Sequence, residues 1–159
     1  MQEIYSIEND VLSVKIKAQG AELCSIKHKE NGREFLWQAD EIWPRHAPIL
    51  FPNVGSLLDH EYHFEGQSYN MKHHGFARDS RFDALHQSEH SIAFVLTHNR
   101  DSLVVFPFAF SLIIRYRLDG NRLEQSFRLI NEDQRDIYAS FGGHPAFSLK
   151  DISEYRIQF

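Results

Sequence analysis

Only one cysteine, Cys24, occurs in the 159 residues. No internal disulfide can form, so a reducing compartment is expected, with Cys24 as a small buried apolar residue. No apolar run approaches the ~20 residues of a membrane span. Met1-Gln-Glu-Ile-Tyr5 also lacks the basic and apolar regions of a signal peptide. No membrane contact and a cytoplasmic location are therefore expected. Basic runs are missing as well, and the formal net charge of −5 argues against nucleic acid as a partner. No Gly-x-Gly-x-x-Gly or phosphate loop occurs, which leaves nucleotide binding without support. His-Glu-x-x-His and cysteine pairs are absent too. His60 and His63 are three apart, which on a strand turns them to opposite sides. No metal and no cofactor are expected. With no Ser/Gly linker and no low-complexity segment, the chain reads as a single domain over 1–159.

What is present is alternation with period two. Leu12, Val14 and Ile16 share one face of Val11–Lys17, and Leu23, Cys24 and Ile26 mark a second strand. Tyr62 and Phe64 lead through a Glu65-Gly66 turn into Gln67–Met71. Ile92, Phe94 and Leu96 form another apolar face. Phe108–Leu118 and Leu123–Leu129 flank Asp119-Gly120-Asn121, which predicts a long antiparallel hairpin. Ile137–Phe141 and Tyr155–Phe159 also read as strands, and no window carries a sustained helical stripe. Prolines 44, 48 and 52 keep Trp43–Ser56 from being a central strand. A strand that stops on Phe159 without a polar tail looks cut short.

Two motifs place histidine beside glycine: His73-His74-Gly75-Phe76-Ala77-Arg78 and Gly142-Gly143-His144-Pro145-Ala146-Phe147. Glycine lets backbone or ligand come close, and imidazole titrates near neutral pH. His144 reads either as a proton donor at a pocket mouth or as a turn histidine bonded to backbone. His74 and Arg78 could both reach one polar ligand, or Arg78 could pair with Asp79. Trp37, Trp43, Phe76 and Phe147 suit stacking on a sugar's apolar face, and equally suit a core.

Pro48–Gly55, the Tyr62–Tyr69 hairpin, His74–Arg78 and Gly142–Phe147, in that order, together resemble the aldose 1-epimerase (galactose mutarotase-like) family, in its LacX-like bacterial branch. The resemblance implies an all-β antiparallel β-sandwich, a supersandwich of the galactose mutarotase type, here incomplete at its C-terminus. It implies interconversion of α and β anomers of a hexose by acid–base ring opening, without metal or cofactor. His144 would be the acid, and His74 would hydrogen-bond the sugar. Arg78, Asn53 and Phe147 would bind substrate, an aldohexose either free or phosphorylated. Ser56 stands where this branch often has arginine. The family's base, a late glutamate, has no equivalent within these residues, nor does a sugar-binding aspartate. Open sheet edges left by missing strands would favour self-association. The alternative is a non-catalytic carbohydrate-binding β-sandwich. A cupin-like metal enzyme would need a different histidine spacing.

Overall fold

A computed structural model describes residues 3–158. Its strands are β1 (Ile4–Glu8), β2 (Leu12–Lys17), β3 (Leu23–His28), β4 (Ile49–Leu50), β5 (Glu61–Phe64) and β6 (Gln67–Asn70). They are followed by β7 (Asp83–Gln87), β8 (Ser91–Thr97), helix α1 (Arg100–Val105), β9 (Phe110–Asp119), β10 (Arg122–Asn131) and β11 (Gly142–Gly143). The sheets run in the orders β1-β2-β3, β10-β9-β8-β7, β11-β4 and β5-β6. All these strand pairs are antiparallel.

The period-two pattern explains the two larger sheets. In β9, Phe110, Leu112, Ile114, Tyr116 and Leu118 are buried, while Arg115 and Arg117 between the last three are exposed. Ile92 and Phe94 of β8 join them, and Val14 and Ile16 of β2 face the same core. Tyr5 of β1 meets Phe94 of β8 edge-on at 5.3 Å, tying one sheet to the other. The predicted hairpin forms with Arg122 opposite Asp119 and Asn131 opposite Phe110. It starts two residues later than Phe108, because Phe108 N–H donates to Phe106 O at 2.8 Å and Ala109 N–H to Asp133 Oδ2 at 3.3 Å.

Two expected strands do not form, and one short helix lies outside the period-two pattern. A six-residue helix, α1, sits between β8 and β9. It is too short to show a helical stripe, and its start is held by a capping box in which Asn99 and Ser102 bond reciprocally. Ile137–Phe141 is not a strand; one of its amides, Ser140 N–H, bonds Pro52 O at 2.9 Å. Ile152–Glu154 is a short 3-10 turn and 155–158 carry no strand, while Phe159 lies outside the described residues. Among the described residues no helix is long and apolar enough to cross a membrane.

Candidate functional site

The short strand β4 explains why two motifs almost seventy positions apart meet. On one side β11 pairs with it, Gly142 opposite Leu50 and Gly143 opposite Ile49. His144 N–H then donates to Pro48 O at 3.1 Å. On the other side Phe51 bridges in parallel to Gly75. Phe51 N–H donates to His74 O at 3.3 Å, and Phe51 O accepts from Phe76 N–H at 3.0 Å and Ala77 N–H at 3.2 Å. Backbone pairing on both flanks of 48–51 therefore sets His74 beside His144. Their ring centroids are 6.0 Å apart with planes at 69°.

His74 is held from two directions. Its N–H donates to Gly55 O at 2.9 Å, and Gly55 N–H donates back to its Nδ1 at 2.9 Å. A ring nitrogen that accepts from an amide carries no proton, so the ring's proton sits on Nε2. Burial is the main reason the His74 imidazole titrates below its usual 6.5, followed by the charges of His73, Arg78 and His144. The neutral Nε2–H form is thus the resting one, a hydrogen-bond donor beside the second imidazole. His74 also has φ +65°, left-handed for a non-glycine residue. Such backbone persists where surrounding contacts impose it, often at binding sites.

His144 is exposed, and its ring lies 5.3 Å from that of Trp43 at a 38° tilt. Trp43 stays in place partly because its carbonyl accepts from Trp37 Nε1–H at 3.0 Å. Arg78 turns toward backbone: its Nη2–H donates to His73 O at 2.7 Å. Its Nε is buried without a hydrogen-bond partner, 3.8 Å from Asp79 Oδ2. The closer ion pair to Asp79 comes from Arg45, at 2.8 Å. Asn53 Nδ2–H donates to Gly55 O at 2.8 Å and so braces the loop that grips His74. Its Oδ1 is buried and unpartnered.

Phe147 lies apart from this group. Residues alternate along 144–147, so Pro145 and Phe147 face away from His144. They line a cavity of about 530 Å³ together with Leu23, Phe35, Leu123 and Gln125. Asn53 also borders a second cavity of about 310 Å³ with Tyr62, Met71 and Phe106. Among the described residues no three His, Cys, Asp or Glu side chains group as metal ligands would. Arg45 was not marked by any local pattern; only the fold brings it to Asp79 and the histidines.

A pH dependence follows from the depressed rings. His46, like His74, titrates below 6.5, burial being the main cause and Lys17 the next. The unfolded chain takes up a proton at each ring more readily than the folded one. Stability should be unaffected by these rings above about pH 7 and fall as pH drops through and below 6.5. Thermal melts at pH 8, 6.5 and 5 check this, with His46→Gln and His74→Gln each flattening the curve. A melting temperature that rises on acidification, through these two residues, contradicts it.

Comparison with known proteins adds to this geometry. Residues 3–159 match the aldose 1-epimerase family. The plasmid-borne protein LacX of Lactococcus lactis subsp. lactis is 35% identical over 96% of the chain. A galactose mutarotase related enzyme from Lactobacillus acidophilus superposes with a TM-score of 0.92 at 38% identity, covering 97% of this chain and 52% of that one. A galactose mutarotase-like protein from Lactobacillus casei gives 0.89 at 36% identity, covering 91% and 50%. The chain spans 55% of the length of the LacX relative.

Proposed function

The chain belongs to the aldose 1-epimerase family, and from that premise we propose that it binds a free aldohexose at the His74–His144 pair. In this reading His144 passes a proton to the pyranose ring oxygen as the hemiacetal opens. The C1–O5 bond breaks, O5 gains that proton, and the anomeric hydroxyl loses its own to a base. The aldehyde rotates, and the ring closes on its other face with the protons returned. No electrons are exchanged, so no cofactor is called for. His74, as the Nε2–H tautomer, donates to the ring oxygen and steadies the charge that develops there. Trp43 offers its face to the apolar side of the sugar.

One observation carries the reading: two imidazoles lie 6.0 Å apart, one of them locked as a donor by Gly55 N–H at 2.9 Å. The charge of Arg45 is cancelled by Asp79 at 2.8 Å, and Arg78 turns one N–H to His73 O. That favours an unphosphorylated hexose. The proton acceptor for the anomeric hydroxyl is, by the family resemblance, a glutamate outside these residues.

A second reading is supported by His74, whose ring is fixed by Gly55 N–H as a donor suited to a sugar hydroxyl. In that reading the same groups bind sugar without turning it over. Saturation-exchange NMR on α-D-glucose and α-D-galactose separates the two. Anomer exchange above the buffer rate supports catalysis. Sugar-induced shifts at His74 and His144 without added exchange support binding alone. Neither effect would sink both readings.

A further inference from the structure

Both histidine motifs are tied to one turn, Ala18–Glu22, which joins β2 to β3. Gly20 N–H donates to Ser80 O at 2.7 Å, and Gln19 Nε2–H donates to Asp79 O at 2.6 Å. The turn thus grips the end of the segment that begins at His74. Gly20 has φ +71°, and a Cβ there would stand 2.8 Å from Arg78 O, so the approach needs glycine. Tyr116, from the buried face of β9, donates to Ala21 O at 2.8 Å and fixes the turn to the core.

The other arm runs through Glu22, which is 7% exposed. Its Oε1 accepts from His46 N–H at 2.8 Å and Ala47 N–H at 3.2 Å. Its Oε2 lies 3.1 Å from Lys17 Nζ. Lys17 Nζ is also 3.1 Å from His46 Nδ1. The next backbone groups along hold the second motif: Pro48 O accepts His144 N–H at 3.1 Å and His46 O accepts Ala146 N–H at 2.9 Å. We infer that Glu22 is a positioning residue for His144, holding the 46–48 backbone on which that motif is docked. Its role in turnover rests on the sugar reading above; its role in placement does not.

The chemistry requires a carboxylate. Two amides and an ammonium converge on it, and all three are donors. A glutamine could offer one oxygen, but its NH2 would confront the Lys17 ammonium and leave that partly buried charge without its carboxylate. Glu22→Gln should therefore loosen the 46–48 segment and what hangs from it, while the Gly20 arm stays intact. Lys17→Met combined with Glu22→Gln removes the unpaired charge and should restore much of the placement. That pair also serves if the single variant folds poorly.

Amide hydrogen exchange on the whole chain is the test. In Glu22→Gln, exchange at Ala47, His144 and Ala146 is expected to speed up by about tenfold or more. His74 and the core amides of Leu112 and Ile114 should keep their rates, and the double variant should move back toward the original pattern. Unchanged His144 and Ala146, or equal acceleration everywhere, overturns the inference. Mutarotation in the same samples should lose about tenfold in kcat with KM held within about twofold, since a misplaced acid costs rate more than binding. No acceleration by the unaltered chain would count against the sugar reading, and the exchange pattern would still decide this one.

Discussion

Gly75→Ala should lower the stability of the chain by about 3 kcal/mol or more, a loss of roughly 6–12 °C in melting temperature for a domain of this size. Two costs add. Gly75 has φ +71°, where a Cβ costs roughly 1–2 kcal/mol. The added methyl would also stand 2.1 Å from Phe51 O and 2.6 Å from Pro52 N. Those are backbone atoms, and no rotamer change can move them aside. Overpacking of this kind costs about 1–3 kcal/mol. Relief requires breaking the bonds from Phe51 O to Phe76 N–H and Ala77 N–H, which position the turn carrying His74. Gly120→Ala is the control. Its φ is +56° but nothing lies within 4 Å of an added Cβ, so the left-handed cost alone should appear. Thermal or urea unfolding of both variants checks the pair. Equal losses would mean that the Phe51 contact does not matter.

His144→Ala should remove about 10²–10⁴ of whatever acceleration the chain gives to hexose anomerisation, the span typical of a general acid. Stability should barely change, because the His144 side chain is exposed and its structural bond, to Pro48 O, is made by the backbone. Rate and fold thus separate cleanly at this position. His74→Ala should not separate them. Its Nδ1 accepts from Gly55 N–H, so the variant strands that amide as well as losing a donor to sugar. Polarimetry and thermal melts on the two variants test the contrast. An His144→Ala chain that retains its rate would mean another group supplies the proton.

The long hairpin was legible because apolar residues recur at every second position through most of β9 and β10 and Asp119-Gly120-Asn121 names its own turn. β7 was not: all five of its residues are exposed, so no alternation exists to be read. Ile137–Phe141 carries the alternation of a strand, yet a pattern cannot supply a neighbour, and one amide of the segment finds Pro52 O. His74 and His144 stood out through their glycines. The same alternation that marks strands also separates Phe147 from His144, since Pro145 and Phe147 turn to the other cavity. Arg45 and Glu22 give no local signal. Each acts across a gap in sequence that only folding closes, Glu22 reaching Ala47 at a separation of 25.

The two-residue strand β4 has a consequence for tolerance to length change. The separation of the imidazoles is set by a few peptide units, 48–51, and not by the large sheets. Insertions at the tips of the β5–β6 or β9–β10 hairpins should leave that separation alone. One extra residue between Pro48 and Pro52 would slip one flanking segment against the other. A slip of one position on an extended segment rotates every side chain to the opposite face. One imidazole would then point away from its partner, in a protein whose bulk had scarcely changed.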